Sequence, residues 1–449
     1  MNAITSLANK PLLSPQIDPP PMPSALKELD IPVVVLENLV LKHIAHLTKA
    51  TVLELADAMG VSTHIVDELL NYLRKRSLLE VFQPMGLSGS ADYSNNHVRY
   101  GLSASGEQEA DLAFMKDAYV GPAPVSLDDY RRVVALQDVR VNSIGHEQIA
   151  GALRGVFGAD KMIEILGPAL NSGRALLLYG NSGTGKSFVA AQLINSFESS
   201  IYIPFAVYTS GSIIRVFSDA HHKMLDNNST ANRIHFNEQY DKRWALCERP
   251  NIQVGGELTM EMLEVNHSQH NRVWLAPLQM LANNGLLIID DLGRQKISVG
   301  ALLNRWIVPM EYYVDYLQLP NGQQAAIPFT LNLAFSTNLN PLDIGDPAFL
   351  RRLGYKIEFF PLNQEDYMTL IEEVSESRGL TINSEFREMV LRLHSTDRTP
   401  FYPCIPKDII GICSDIIKFN QESHVITPSI LESAWRLYCT SDGMGGNNE

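Results

Sequence analysis

The chain has 449 residues, 45% of them hydrophobic and 19% charged, the balance of an ordinary globular protein long enough for two or three domains. Its net charge of −14 argues against a protein coated in nucleic acid, although a local basic patch would be compatible with it. The scattered Cys247, Cys404, Cys413 and Cys439 form no CxxC pair or disulfide framework, and neither a signal peptide nor an uncharged apolar run of roughly 20 residues is visible, so a cytoplasmic protein without membrane insertion is expected.

Residues 1–25 carry Pro11, Pro15, Pro19, Pro20, Pro21 and Pro23, which exclude helix and predict a disordered tail. Residues 26–117 read as a small separate domain. Apolar residues have helical spacing over Leu36–Leu47; Thr51, with Glu54 at the capping-box position, caps a helix over Val52–Met59 that Gly60 closes. Ser62 is the expected cap of a third helix, Ile65–Arg74. Leu78–Phe82 and His97–Leu102 read as strands joined by the polar loop Ser88–Asn96, and Ser103–Phe114 returns to helix. This order resembles a winged helix-turn-helix domain. Such domains often read DNA through the third helix. Here that helix sets Asp67 and Glu68 beside Arg74, Lys75 and Arg76, and the region has eight Lys/Arg against thirteen Asp/Glu, so protein contact is favoured over DNA. Residues 118–133 read as a linker and a short helix.

From 134 to 361 apolar strands alternate with helices, which predicts a parallel sheet covered on both faces. The apolar run Ala175–Tyr179 leads into Gly180, Asn181, Ser182, Gly183, Thr184, Gly185, Lys186 and Ser187, followed by the helical pattern Phe188–Phe197. Strand, glycine-rich loop, Lys-Ser and helix make a phosphate-binding loop: the backbone cradles phosphate, Lys186 reaches the β- and γ-phosphates, and Ser187 holds Mg²⁺. A nucleoside triphosphate with Mg²⁺ is the expected ligand, ATP by the resemblance given below. Almost 90 residues then precede the next motif, more than one helix and one strand need. Within them Ile201–Tyr208 and Ser212–Phe217 read as strands about Ser210-Gly211, Asp226–Asn237 as a loop, Ile252–Val254 as a short strand and Trp274–Ala282 as an amphipathic helix.

Gly285–Asp291 (GLLIIDD) is a buried strand ending in two acids. Asp290 is placed to support Mg²⁺ and Asp291 to orient an attacking water. Glu257 is a lesser candidate carboxylate, and Arg294 and Arg305 are candidates for subunit-interface or nucleotide contacts in trans. A helix is expected over Gly300–Glu311. Tyr313–Leu319 and Ala325–Phe335 flank Pro320-Asn321-Gly322, a strong hairpin signal. Asn332–Asn338 (NLAFSTN) is a third strand with a polar end. Ala348–Leu353 (AFLRRL) precedes a strand, Lys356–Phe360. Residues 362–440 read as helices over Asn363–Arg378, Ser384–Leu393, Pro406–Asn420 and Pro428–Thr440, and 441–449 as a flexible end.

The loop, the IIDD strand and the NLAFSTN strand together resemble the AAA+ ATPase core, over roughly 134–440. The hairpin before the third strand is similar to the branch that includes MoxR-like proteins, protein unfoldases and Holliday-junction motors, where it often lines a ring's pore. The combination of Gly255–Leu263, Asp290–Gln295, Leu303–Glu311 and Ala348–Arg352 looks like a bacterial group of predicted ATPases with chaperone activity. The implied fold is α/β, a parallel-sheet P-loop core (134–361) with a helical lid (362–440), preceded by the winged-helix-like α+β domain. The resemblance implies a sensor-1 role for Asn338, an arginine finger at Arg352 or, second, Arg351, and a sensor-2 role for Lys407, where arginine is usual. It further implies a homo-oligomeric ring, a hexamer, acting on a protein client recruited by the N-terminal domain. One departure matters: the family most often has Glu at the position of Asp291, and the shorter carboxylate sits ~1.5 Å further back. Nucleotide binding is therefore better supported than fast hydrolysis. Two alternatives are a DNA-acting ATPase or ATP-dependent regulator, and a nucleotide-gated scaffold with little turnover.

Overall fold

A computed structural model describes residues 17–82, 98–141, 143–225, 240–268, 272–319, 321–344 and 347–439, with 14–15 and 347–348 described by backbone alone. The expected loops Ser88–Asn96 and Asp226–Asn237, Pro320, and the segments 1–13 and 441–449 lie outside the described residues.

Five short strands build the central sheet: β1 (Leu176–Gly180), β2 (Asn251–Val254), β3 (Leu286–Ile289), β4 (Asn332–Thr337) and β5 (Tyr355–Phe359). Their order is β2-β3-β4-β1-β5 and every pairing is parallel. All four residues of β3 are fully buried because the strand has a covered face on each side. Leu287 and Ile289 face one apolar cluster with Trp306 and Phe349; Leu286 and Ile288 face another with Leu166, Val189 and Ala190. The fold is α/β, with a parallel-sheet P-loop core and a helical lid. Ile252–Val254 belongs to this core sheet and is not a piece of the insertion. After β5, helices Gln364–Ser377, Phe386–Thr396, Cys404–Asn420 and Pro428–Tyr438 close on their own core of Tyr367, Phe386, Ile410, Leu431 and Trp435.

The insertion forms two further sheets. The expected single strand Ile201–Tyr208 is divided: Ser199–Pro204 pairs with Trp244–Cys247, and Ala206–Thr209 pairs with Ser212–Arg215. The amphipathic helix expected over Trp274–Ala282 is instead a two-residue strand, Trp274–Leu275, and a short helix, Leu278–Leu281. Pro277 explains the break, since it disfavours helix at the residue before it and donates no backbone bond. Val314–Gln318 and Gln324–Pro328 form the antiparallel hairpin. Its tip is tied down: Asn321 Nδ2 donates to the Ser210 carbonyl at 2.6 Å. Its second strand is held by Arg131, whose Nε and second terminal nitrogen donate to the Ala326 carbonyl at 3.1 and 2.7 Å.

In the N-terminal region, helices Val33–Leu47, Val52–Met59 and Thr63–Lys75 precede an antiparallel pair, Leu79–Phe82 with Arg99–Leu102, and a helix, Ala104–Lys116. The Thr51–Glu54 capping box is formed, at 3.2 and 2.8 Å. Ser62 departs from expectation: its buried hydroxyl makes no hydrogen bond and does not cap the third helix. Two larger corrections concern the flanks of this unit. The stretch expected as a linker is packed: Tyr119, Ala123 and Val125 are 4%, 0% and 0% exposed, the Ala123 amide bonds the Met59 carbonyl, and Val125–Ser126 pairs with Val207–Tyr208. The proline-rich segment is not loose over its described part. Ser14–Pro15 pairs in parallel with Ser199–Ser200 at a sheet edge, where proline is tolerated, and the Pro20 carbonyl accepts from the Asp241 amide at 2.8 Å. Ala206, Ile213 and Val273 of the insertion complete the same apolar cluster as Leu36, Leu55 and Leu69, so the helical unit and the insertion share one core.

Arg305, expected in trans, is instead an internal brace. It is 15% exposed, bonded to Glu264 at 2.8 Å and to Asp315, itself 2% exposed, at 2.6 and 3.1 Å. Gln279 completes the network by donating to Asp315 at 2.8 Å. The network joins the helix after β3, Val299–Tyr312, to the hairpin. Arg305→Ala leaves the Asp315 carboxylate buried without its cation. We expect it to lower stability by about 3 kcal/mol, read as a drop in urea midpoint at unchanged slope, whereas a change below about 1 kcal/mol, the worth of an exposed pair, would refute the brace.

Candidate active site

The carboxyl ends of β1, β3 and β4 lie side by side, and each is followed immediately by a polar residue. The loop after β1 turns through Gly180 (φ 135°), Gly183 (φ 79°) and Gly185 (φ 91°). Only glycine suits the first two: a Cβ on Gly180 would collide with the Phe359 carbonyl, and one on Gly183 would lie 2.5 Å from the Cys404 sulfur. Thr184 is buried and donates to the Asn181 carbonyl at 2.8 Å, bracing the loop from within, while Asn181 and Ser182 are exposed. The helix that follows is Lys186–Gln192, continued by a tighter turn, Leu193–Ser196.

Lys186 is the centre of the arrangement. Its Nζ donates to the Gly180 and Asn181 carbonyls at 2.9 and 2.8 Å and to Asn338 Oδ1 at 2.9 Å, so a side chain from the end of β4 meets the loop lysine directly. Burial pulls the ammonium below its ordinary pKa, and the nearby carboxylates of Asp291 and then Asp290 pull the other way. The Asp290 carboxylate accepts three hydrogen bonds: from Ser187 Oγ at 2.7 Å, Gln253 Nε2 at 2.8 Å and the Asp291 amide at 3.0 Å. Hydroxyl and carboxylate oxygens are the donors a hard divalent cation prefers. Among the described residues no group of three His, Cys, Asp or Glu could hold a metal alone, while Ser187 and Asp290 bring one hydroxyl and one carboxylate together.

Asp291 follows at φ 49°, a left-handed conformation, with its carboxylate half-exposed and 3.9 Å from Arg294. Glu257 lies on the loop after β2 and turns inward on that loop: its carboxylate accepts the Gly255 amide at 3.0 Å, which holds its pKa below the ordinary value. Arg352 ends the short helix Pro347–Arg352 and pairs with Glu311 at 3.0 Å; Arg351 is exposed beside it. Lys407 is exposed on the helix Cys404–Asn420, and its carbonyl accepts from Arg378.

Three residues of this neighbourhood escaped the reading of the sequence. Gln253 reaches Asp290 from the adjacent strand, and its only signal is a polar residue between buried Ile252 and Val254. Tyr402 and Cys404 bring the lid to the loop: Asn181 Nδ2 donates to the Tyr402 hydroxyl at 3.3 Å, and the Cys404 amide donates to the Gly183 carbonyl at 3.3 Å. No local pattern distinguishes these two from core residues of a helix start.

A family model described as "Domain of unknown function (DUF8689)" matches residues 363–437, the helical region after β5. No curated protein matches the sequence. Among solved structures the chain is similar to NtrX from Brucella abortus in complex with ADP, at 13% identity and TM-score 0.39, covering 73% of this chain. It thus spans 58% of that chain's length. It is also similar to the RuvB Holliday junction branch migration motor of Thermotoga maritima, at 16% identity and TM-score 0.35, covering 66% of this chain and 70% of that one.

Proposed function

We propose that the chain is an AAA+ ATPase that binds ATP with Mg²⁺ between the α/β core and the helical lid and hydrolyses it. The meeting of Lys186, Ser187, Asp290 and Asn338 at the carboxyl ends of three neighbouring parallel strands carries this reading. Ligands of open α/β sheets sit at that edge, where the strand order reverses. The loop Gly180–Ser187 cradles the phosphates, with Lys186 exchanging its carbonyl and Asn338 partners for phosphate oxygens. Ser187 and Asp290 hold Mg²⁺, which neutralises phosphate charge when bound. Asp291 orients the attacking water and Asn338 helps place it near the γ-phosphate. Lys407 reaches the nucleotide from the lid.

In the same reading the chain works as a homo-oligomeric ring, a hexamer, in which Arg352, or else Arg351, completes the site of the neighbour. A head-to-tail interface that closes gives such a ring. Turnover then moves lid against core and remodels a protein client. The N-terminal unit, of winged-helix type, receives that client through protein contact. No described helix is long and apolar enough to cross a membrane.

Lys186→Ala removes the one lysine ammonium aimed at the loop. We expect ATP binding to weaken by about a hundredfold, within the worth of a charge-assisted contact; unchanged affinity in equilibrium binding would remove the basis of the reading. Asp291→Glu restores the longer carboxylate and should keep or raise the rate of phosphate release, so complete loss would count against Asp291 as the water-orienting group. Duplex DNA added to the same assay should leave the rate essentially unchanged. Strong stimulation would replace the protein client with DNA, and tight ATP binding without any turnover would favour a nucleotide-gated scaffold.

A further inference from the structure

The two acids at the end of β3 are held in different ways. Asp290 has its carboxylate fixed by three hydrogen bonds. Asp291 has no such hold on its side chain: among the described residues its carboxylate meets Arg294 at 3.9 Å, and the two side chains are 48% and 73% exposed. What directs Asp291 is therefore its backbone, at φ 49°, a conformation that non-glycine residues keep only where the surroundings impose it.

One side chain contributes to that imposition from within the turn. The Gln295 carboxamide lies inside the turn and uses both its ends there. Its Nε2 donates to the Asp290 carbonyl at 2.8 Å and to the Asp291 carbonyl at 3.1 Å, and its Oε1 accepts the Gly293 amide at 2.8 Å. The Arg294 amide adds a bond to the Asp291 carbonyl at 3.0 Å. From outside, the turn is pinned to β4 by the Leu292 amide on the Ser336 carbonyl at 2.8 Å and by Thr337 Oγ1 on the Leu292 carbonyl at 2.9 Å. The outer bonds fix where Leu292 sits; the Gln295 bonds close the turn around Asp290 and Asp291 themselves.

We infer that Gln295 is a positioning residue for hydrolysis: it holds the Asp291 backbone left-handed and so keeps aimed at the water site of the proposed reaction a carboxylate that has only longer-range charge contacts, with Arg294 and Lys186. This rests on the ATPase reading above, with Asp291 as the water-orienting group. Without Gln295 the turn relaxes, the carboxylate swings, and chemistry slows while the phosphate-binding loop, which Gln295 does not touch, is unchanged.

The test compares the full-length wild type with Gln295→Ala, Gln295→Glu, Asp291→Asn and the double variant Asp291→Asn/Gln295→Ala. Gln295→Glu keeps size and shape but sets a carboxylate against two carbonyls, so it answers the question if Gln295→Ala does not fold. Both Gln295 variants should lose between about tenfold and a hundredfold in kcat, the scale of a misplaced catalytic group, with the ATP dissociation constant within about a factor of two of wild type. Hydrogen–deuterium exchange of the 290–295 turn, measured without nucleotide, should speed up in both. The double variant should be no slower than Asp291→Asn alone, a result a merely structural role would not give. A wild type that hydrolyses ATP alongside a Gln295→Ala of unchanged kcat, or a loss that multiplies in full onto that of Asp291→Asn, overturns the inference and leaves the ATPase reading intact. A wild type that binds ATP without turnover removes that reading and the inference with it.

Discussion

A strand buried on both faces can hold a polar side chain only if that side chain finds a hydrogen-bond partner, and β3, buried throughout, holds none. Leu286 to Ile289 are all inaccessible, so the chain's chemistry is forced to the residues that follow, Asp290 and Asp291. β1 likewise runs from a buried apolar stretch into the glycine loop, while β4 ends in the buried Ser336 and Thr337, the latter bonded to the Leu292 carbonyl, just before Asn338. Parallel pairing then sets the three ends at one edge of one sheet. The site is thus a product of burial: the apolar clusters on the two faces are what bring Lys186 within 2.9 Å of Asn338 and Ser187 within 2.7 Å of Asp290.

Two attachments to this sheet differ in kind. The lid reaches the phosphate loop through a few polar contacts, from Tyr402 and the Cys404 amide, while its own apolar core is closed on itself. Such polar contacts are a looser tie than a shared apolar core. The hairpin, the insertion and the N-terminal helices are joined by shared apolar clusters and by the Asn321 and Arg131 bonds. The Arg305 network ties the hairpin to the helix that follows the two acids.

The parts legible in the sequence are those whose signal is local. The loop Gly180–Ser187, the IIDD strand, the hairpin and the lid helices each announce themselves within a dozen residues through glycine placement, apolar runs or helical spacing. The capping box at Thr51 and Glu54 is the smallest example. What escaped depends on partners distant in the chain. Nothing near Pro15 says that Ser200 will pair with it, and nothing near Arg305 says that Asp315 and Glu264 will enclose it. Gln253 acts only because β2 lands beside β3. Trp274–Ala282 was misread for a local reason: its apolar spacing suits a helix, but Pro277 decides the backbone.

The sharing of one core between the N-terminal helices and the insertion has a consequence for synthesis. A helical unit at the start of a chain ordinarily closes as soon as it leaves the ribosome. Here the cluster around Leu36, Leu55 and Leu69 is finished by Ala206, Ile213 and Val273, and the first strand, Ser14–Pro15, joins a sheet completed by Trp244–Cys247. Part of the apolar surface of the N-terminal unit is therefore covered only once the residues through Val273 have been made. Long-range closure of this kind forms more slowly than local helix packing.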